Sequence, residues 1–447
     1  MQVSILSYGA VPGGEINCAP AVQKAMDEVS AAGGGRVTVP AGVFLCGSVL
    51  LKSHVNLYLE KGAVLRSSLN PEDILPFPTP KDEEGIDGWN GGFFLGARDA
   101  ADISVTGEGT LDGQGEKVFS DPDVDHGFHE CPKRCAPFRP RMTLFENIED
   151  LTITGITFLN AAFWTLHMAG CRRVQVRNIR ILNDDRGANN DGIDPDCCQD
   201  VIISGCMVST GDDAIVLKST GPMAKRYGDC RNIVITGCVL HSRDSALKIG
   251  TETHGTISDV IFSDSIVDRC SRAVGLWVRD GGSVENISVH HLTGSTRRYA
   301  DAYAIPGNPG WWGKGEPIFV SCTPRKGKEG QVPGVIRNLS FSNIRLTCES
   351  SLFLGGESYA PIENVRLNEI EMTFRHTGTQ PGGLFDEQPS GRHVYPHTIP
   401  ALYARSVNGL HMNHCTVTFC GEKEAWDGTL CEMEDCDHTD VSWEKDT

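Results

Sequence analysis

A short pattern of alternating aliphatic residues recurs along most of the chain and restricts the folds that the chain can adopt. Each copy has a polar pair, an alternating aliphatic strand, a Gly, Asn or Asp turn, and a second short strand. Examples are EDLTITGITFLN from Glu149, QDVIISGCMVST from Gln199 and RNIVITGCVLHS from Arg231. The first aliphatic residues of six consecutive copies lie roughly 23 to 32 residues apart: Leu151, Val174, Val201, Ile233, Val260 and Ile287.

Period-2 alternation in runs of four to six residues indicates β-strands, and no helical pattern separates the runs. A strand-only repeat of this length is typical of one coil of a parallel β-helix, in which each coil stacks on the last. A β-propeller blade would need about 40 to 50 residues. The sequence therefore predicts an all-β solenoid of about ten coils, formed by one domain over residues 1–447. Recurring asparagines suit its turns because Asn tolerates the left-handed conformation: Asn178, Asn232, Asn286, Asn338, Asn343 and Asn364.

The open end of a solenoid needs a cap. The amphipathic stretch from Ala19 to Ala32 predicts a capping helix that buries Ala21, Val22, Ala25, Met26 and Val29. We assign residues 1–70 to this cap and the opening coils. Two insertions, 297–335 and 375–400, lack the repeat, and long loops on a repeat protein usually carry function.

Charge and cysteine content limit the partners and the compartment. The formal charge of −18 disfavours nucleic acid and anionic membranes as partners, so an anionic substrate would need a locally basic site. The sequence contains no apolar run of 18 residues and shows no signal peptide. Its 17 cysteines are typical of reduced, buried thiols. These features predict a cytoplasmic protein, although a secreted or periplasmic protein with its signal already removed would look similar.

Two acidic clusters occur in consecutive repeats: NDDRGANNDGIDPD from Asn183 and STGDDAIVLKS from Ser209. Stacked coils lie about 4.8 Å apart, so equivalent positions face the same side of the solenoid. Asp191, Asp212 and Asp213 are therefore expected to meet in one cleft. Three crowded carboxyls cost stability unless one holds a proton, and a protonated and an ionised carboxyl together are what glycoside hydrolysis uses. Solvated turn residues are the alternative for any single Asp.

The motifs NNDGID at Asn189 and GDDAIVLKS at Gly211 resemble the two hallmark motifs of glycoside hydrolase family 28, the polygalacturonase family. GEGTLDGQG at Gly107 and FWTLHMAGC at Phe163 are also similar to that family. The resemblance implies a right-handed parallel β-helix and an enzyme that needs no cofactor. Carried over by position, it makes Asp212 the general acid, and Asp191 and Asp213 the residues that hold and activate the attacking water, with inversion.

Two further positions depart from the family pattern. Ser245 stands where the family has His, and Trp277 and Arg279 replace the Arg and Lys of Arg-Ile-Lys. Arg279 still offers a planar fork for a uronate carboxylate. Ser245 and Trp277 themselves are also candidates for substrate binding. The other candidates are Lys218 and Lys248, which could add local positive charge, His167, and the adjacent loop residues Trp311 and Trp312, which could stack on sugar rings. Lys218 pairing with a nearby Asp, His167 as a core residue and the two Trp packing the loop are the structural alternatives.

The predicted substrate is an oligosaccharide that contains galacturonic acid, cleaved at an α-glycosidic bond from a chain end. A rhamnogalacturonan-type hydrolase, a polysaccharide lyase and a non-catalytic carbohydrate-binding β-helix remain as alternatives. His126, His129, Cys131 and Cys135 could bind zinc, but their spacing matches no standard zinc motif, and chance clustering is the simpler interpretation. The sequence does not indicate an oligomeric state.

Overall fold

Stacked strands form a parallel β-helix with three faces, termed faces A, B and C in chain order around each coil. The structure is a computed structural model, and it describes residues 1–76, 92–121, 132–299, 313–421, 426 and 428–444. Nearly all the strands join one sheet, and consecutive coils pair in parallel. The all-β solenoid predicted from the repeats is confirmed.

Each face consists of one column of strands. Face A contains Gln2–Ser4, Gly35–Val39, Val55–Leu59, Arg172–Arg177, Gln199–Ser204, Cys230–Thr236, Val407–Asn413 and Asp437–Asp440. Face B contains Gly42–Cys46, Ala63–Ser67, Thr110–Asp112, Thr157–Leu159, Arg180–Leu182, Met207–Thr210, Val239–Ser242, Cys415–Cys420 and Trp443–Glu444. Face C contains Val49–Leu50, Leu166–Ala169, Ile193–Asp196, Ile215–Ser219, Ser245–Thr253, Arg272–Val278, Ile318–Cys322, Leu352–Gly355, Leu402–Arg405 and Cys431–Glu434.

Longer strands bend from one face to the next. Phe93–Gly107 and Arg141–Thr154 run from face C to face A, whereas Thr256–Cys270, Ser283–Thr296, Val335–Cys348 and Ile362–Arg375 run from face A to face B. Face C thus stacks ten strands of its own and parts of two bent strands, twelve in the described ranges. The twelve strands of face C in these ranges compare with the prediction of about ten coils.

The repeat residues stack in register, which is what makes the interior continuous. Leu151 pairs with Val174, Val174 with Val201 and Val201 with Ile233, and the column continues through later coils. These side chains are essentially inaccessible to solvent. Burying one aliphatic side chain of this size is worth about 1.5–3 kcal/mol. The column is therefore a main source of the stability of the solenoid.

A helix covers the first coil, as the amphipathic pattern predicts. It spans Ala19–Ala31, one residue less than expected, and ends just before Gly33 and Gly34. Its buried residues are Ala19, Val22, Ala25, Met26 and Val29, while Ala21 is half-buried. The second helix, Gly221–Tyr227, lies beside face C, and neither helix in the described residues is long and apolar enough to cross a bilayer.

Two short hairpins project from the coils: Phe119–Ser120 with Arg134–Cys135, and Leu384–Asp386 with Val394–Pro396. Single 3₁₀ turns occur at Ile5–Tyr8, Pro71–Asp73 and Gly115–Lys117. The described cysteines form no disulfide, and most of them are buried in the interior, as predicted.

Candidate active site

The three predicted carboxylates meet on the outside of face C. Asp191 lies just before strand Ile193–Asp196, and Asp212 and Asp213 lie just before the next strand, Ile215–Ser219. Ile193 pairs with Ile215, so the two turns are neighbours. One carboxylate oxygen from each of the three residues lies within 4.8 Å of the others. All three side chains are almost completely buried.

Asparagine side chains hold the two turns together. The Asn190 amide oxygen accepts hydrogen bonds from the backbone N–H of Gly211 (2.9 Å) and of Asp212 (3.1 Å). Asn183 donates to the Asn190 carbonyl at 2.8 Å. Asp212 accepts from the N–H of Asn189 at 2.9 Å on one oxygen and from the N–H of Asp213 at 3.0 Å on the other. These bonds fix the plane of the Asp212 carboxyl group.

Two lysines bring positive charge to the cluster. Lys248 Nζ lies 2.8 Å from Asp213 Oδ2 and 3.2 Å from Asp244 Oδ2. Burial alone would lower the pKa of Lys248, but the carboxylates of Asp213 and Asp244 outweigh burial and raise it well above its ordinary value. Lys218 Nζ lies 3.5 Å from Glu252 and 3.9 Å from Asp191. Both ammonium groups are therefore charged and partnered.

Burial and neighbouring carboxylates raise the pKa values of two of the three aspartates. Burial, with the neighbouring carboxylates of Asp212 and Asp194, raises the pKa of Asp191 well above the ordinary value. Burial also raises the pKa of Asp213, although Lys248 opposes this shift. Glu252 differs: burial would raise its pKa, but Lys218 and Arg325 lower it to about 2. A protonated and an ionised carboxyl can thus coexist near neutral pH.

A cavity of about 280 Å³ opens above the carboxylates. Of the residues predicted to bind substrate, Lys218, Lys248 and Trp277 line it. Its further lining comes from both sides of the cluster: Phe163, Trp164, Asn189, Asp244, Thr251, Glu252, Arg272, Arg325, Asp386, Gln388 and Pro389. The ammonium of Lys218 lies 4.7 Å from the centre of the Trp164 ring. The cavity therefore combines aromatic faces with charged groups, as carbohydrate sites require.

Arg279 does not line this cavity, contrary to its predicted contact with substrate. Its guanidinium is buried and donates to the carbonyl of Ser321 (2.9 Å), the hydroxyl of Ser321 (3.0 Å) and the carbonyl of Glu387 (3.2 Å). Burial lowers its pKa to about 10. Arg279 follows the end of strand Arg272–Val278, and its guanidinium turns to Ser321 and Glu387, whereas Trp277 lies within the strand and lines the cavity.

Ser245 and His167 also lie outside the cavity lining. Ser245 donates through its backbone N–H to Asp213 at 3.3 Å and through its hydroxyl to Asp244 at 3.1 Å. It therefore holds two of the carboxylates that line the cavity. His167 is buried under Trp164, with ring centres 4.8 Å apart, and burial lowers its pKa. Neither position supports direct contact with substrate, and His167 takes the core role that was its structural alternative.

Several predictions lie outside the described residues. These are Trp311 and Trp312 in the first insertion, and His126, His129 and Cys131 of the candidate zinc site. Cys135 is described; it is half-buried in the Phe119–Ser120 hairpin. In the described part of the chain, the side chains that could meet at a metal are the three clustered aspartates and an exposed group formed by Asp264, His290 and His291.

Arg325, Arg272 and the segment Asp386–Pro389 were not predicted as site residues. The two insertions, 297–335 and 375–400, carried the only sequence signal for Arg325 and Asp386–Pro389. Arg325 makes a two-point ion pair with Asp280, through Nε at 2.5 Å and Nη2 at 2.7 Å. Arg272 lies 3.3 Å from both Asp244 and Glu316. The cavity lining thus contains four cations but six carboxyl groups, so it offers positive charge for an anionic substrate without being basic overall.

A sequence model of the glycosyl hydrolases family 28 matches residues 35–288, which include both aspartate motifs. The match spans more than half of the chain. The chain belongs to glycoside hydrolase family 28. The family match ends before Arg325 and before Asp386, so part of the cavity wall lies beyond the residues that the family model matches.

Individual relatives agree with the family assignment. A probable polygalacturonase of Vitis vinifera is 30% identical over 69% of this chain and 63% of its own length. A family 28 exopolygalacturonase of Yersinia enterocolitica superposes with a TM-score of 0.73 at 17% identity, over 100% of this chain and 79% of the other. A Thermotoga maritima exopolygalacturonase gives a TM-score of 0.63 at 21% identity, over 97% and 92%. The chain spans less than two thirds of the length of the Vitis relative, and the two structural likenesses show the family 28 fold.

Proposed function

We propose that this protein hydrolyses an α-glycosidic bond next to galacturonic acid in pectic oligosaccharides, by a single displacement that begins at a chain end. The observation that carries the proposal is the group of three buried carboxyls at the floor of one cavity. Burying like charges together is costly, and such an arrangement is found where a catalyst needs one acid and one base. The polygalacturonase relatives support the choice of substrate.

In the proposed mechanism, Asp212 donates a proton to the leaving glycosidic oxygen while the bond from that oxygen to the anomeric carbon breaks. Asp191 and Asp213 hold a water molecule on the opposite face of the sugar. As the water oxygen bonds to the anomeric carbon, one of these carboxylates accepts its proton. Lys248 favours the ionised form of Asp213 because its ammonium lies 2.8 Å away.

The spacing of two carboxyl groups is related to the stereochemical outcome of glycoside hydrolysis. Inverting enzymes usually separate their two carboxyls by about 6.5–9.5 Å, and retaining enzymes by about 5–5.5 Å. Here the nearest oxygens lie within 4.8 Å. We base inversion on the family resemblance and on the presence of two carboxylates beside the acid. Two carboxylates can hold and activate a water molecule, whereas a retaining mechanism would need only one carboxylate, as the nucleophile.

Chain-end attack is supported by what covers face C beyond the cavity. Phe319 and Phe353 stack on the outer side of this face with ring centres 4.8 Å apart, and both are fully buried. Phe385 from the hairpin Leu384–Asp386 packs on Phe353 at 5.0 Å. A groove along face C therefore ends at the hairpin, and a groove closed at one end favours release of terminal units.

The alternatives differ in how well the site fits them. A lyase would use Lys or Arg as a base, but Lys248 is paired with two carboxylates that raise its pKa. Trp277 in place of the family Arg favours a rhamnogalacturonan-type hydrolase as the second candidate. It uses the same chemistry on a backbone that also contains a neutral sugar.

Product analysis by NMR on a panel of polygalacturonan and rhamnogalacturonan oligosaccharides tests the proposal. We expect a product whose anomeric configuration is initially inverted, with no unsaturated uronate. A retained anomer would reject single displacement, an unsaturated product would indicate a lyase, and binding without product would indicate a carbohydrate-binding protein.

A further inference from the structure

The hairpin formed by Leu384–Asp386 and Val394–Pro396 reaches the catalytic cavity from a distant coil. It belongs to the insertion before strand Leu402–Arg405, which lies four coils beyond strand Ser245–Thr253 on face C. At about 4.8 Å per coil, this is roughly 19 Å along the solenoid. Yet Asp386, Gln388 and Pro389 line the same cavity as Asp213 and Lys248. We call Asp386–Pro389 the wall segment.

Glu387 is the residue of the wall segment that turns inward. Its side chain is completely buried and accepts two hydrogen bonds from Arg405, at 3.0 and 2.9 Å. The Tyr395 hydroxyl donates to Glu387 at 2.8 Å, and the Ser321 hydroxyl at 3.3 Å. A buried two-point pair with Arg combines strong bonds with fixed geometry. Glu387 therefore connects the hairpin to strands Ile318–Cys322 and Leu402–Arg405.

Arg279 adds a second attachment at the same residue, because its guanidinium donates to the Glu387 carbonyl. Glu387 thus holds the wall segment through both its carbonyl and its side chain. The segment is also bound at its two ends, by Arg272 at the Asp386 carbonyl (3.5 Å) and by the Lys326 N–H at the Pro389 carbonyl (2.9 Å). Asp386 and Gln388, on either side of Glu387, line the cavity. Glu387 is the residue of the segment with the most buried hydrogen bonds, so their positions depend in large part on it.

We propose that Glu387, with Arg405 and Arg279, is the positioning residue that holds the wall segment across the groove and so restricts the enzyme to chain ends. Glu387 does not touch substrate; it acts through Asp386, Gln388 and Pro389. This inference rests on the proposed function, since it specifies how the same site excludes the interior of a polymer.

The test compares wild type with a double variant, Glu387→Gln with Arg405→Met. Removing both partners avoids leaving a buried Arg without its carboxylate. The assay measures the fall in viscosity of polygalacturonan per bond cleaved, together with kcat and KM on a short galacturonide. We expect the viscosity fall per bond to rise about tenfold and KM on the short substrate to rise, with kcat changed less than KM. If the double variant does not fold, Tyr395→Phe, which removes only the 2.8 Å bond, replaces it.

Glu146→Gln is the matched control. Glu146 is equally buried on the outer side of face C and is bound by Arg98 at 2.6 Å, by Arg226 at 2.6 Å and by the Tyr227 hydroxyl at 2.8 Å, but it does not line the cavity. We expect it to lower stability and leave the viscosity fall per bond unchanged.

Each outcome decides the inference. Folded variants that still act only at chain ends, or a control that changes the cleavage pattern as much as they do, would overturn it while leaving the hydrolase proposal standing. A wild-type enzyme that cuts polymers internally would overturn it directly. A wild type that cleaves no pectic substrate would instead refute the proposed function, and the inference with it.

Discussion

Asp191, Asp212 and Asp213 have the same side chain but different surroundings, and the raised pKa of Asp191 works against the ionised form that its proposed role requires, a shift that Lys218 and Lys248 oppose. Two backbone N–H groups fix Asp212, the Lys248 ammonium pairs with Asp213, and burial beside other carboxyls raises the pKa of Asp191. Different surroundings can shift the pKa values of identical side chains apart, so that one residue type supplies both an acid and a base.

The first residue-scale prediction concerns the proposed acid. Asp212→Asn keeps the size of the side chain and can still accept one of the two backbone N–H bonds, from Asn189 or from Asp213, so the fold should persist. Loss of proton donation should lower kcat by about 10²–10⁴-fold. Steady-state kinetics and circular dichroism on the same preparation measure both effects. Near-normal turnover would remove Asp212 as the acid.

The second concerns the pH dependence set by Lys248. Its ammonium lowers the pKa values of Asp191 and Asp213, which must be ionised to hold and activate water. Lys248→Met removes this effect, so both pKa values rise and less carboxylate is present at a given acidic pH. The acidic limb of the kcat/KM profile should move upward by about one pH unit or more. A limb that stays in place or moves to lower pH would contradict the assignment.

The third residue-scale prediction concerns Arg325 as the residue that binds the uronate carboxylate. Arg325 lines the cavity, while Arg279 does not. Replacing Arg325 by Gln, together with Asp280→Asn so that no buried charge loses its partner, should raise KM for uronate oligosaccharides about tenfold with a smaller change in kcat. The conservative variant Arg325→Lys should recover part of the loss. An unchanged KM would mean that the uronate carboxylate binds elsewhere.

At the scale of the element, the turns between strands decide whether coils can stack. All six asparagines predicted for these turns have positive φ, between +52° and +59°. Several form a ladder along the solenoid: Asn338 donates to Asn286 at 3.0 Å and accepts from Asn364 at 2.8 Å. The side chain thus stabilises both the turn and the contact between coils.

Asn338→Ala and Asn338→Gly separate these two contributions. Alanine in the left-handed region costs about 1–2 kcal/mol, and it also loses both ladder bonds. Glycine adopts that conformation without strain and loses only the bonds. Urea unfolding should therefore rank stability as wild type, then Gly, then Ala. A Gly variant less stable than the Ala variant would show that backbone conformation is not the main cost.

At the scale of the whole molecule, the solenoid offers face C as a long surface and the insertions decide how much of it substrate can use. Phe385 covers Phe353, and the wall segment then meets the cavity near Trp277. The open groove of a bare β-helix becomes a pocket at this point. Face C forms the floor of this pocket, and the insertion 375–400 closes its end.

This arrangement predicts the course of reaction on a long polymer. A time course on polygalacturonan should show early release of monosaccharide or disaccharide with little fall in viscosity, because interior segments cannot pass the wall segment. Chromatography of the products and viscometry on one reaction provide the measurement. A rapid fall in viscosity before small products appear would refute chain-end attack.

The sequence by itself determined the solenoid, its capping helix and the meeting of the three aspartates. These features follow from local rules: alternation defines the strands, and a repeat of roughly one coil brings Asp191 and Asp212 onto neighbouring turns. Because each coil contacts mainly the next, information from a few dozen residues suffices.

Only the tertiary structure decided which side chains complete the cavity. Arg279 resembles a substrate-binding residue by position, but it turns to Glu387, 108 residues away in sequence. Arg325 and the wall segment come from insertions without periodicity, and their path back along face C depends on the packing of Phe385 against Phe353 and on the buried pair of Glu387 with Arg405. Contacts at such separations leave no local pattern, because they are set by the shapes of two surfaces that meet after the coils have stacked.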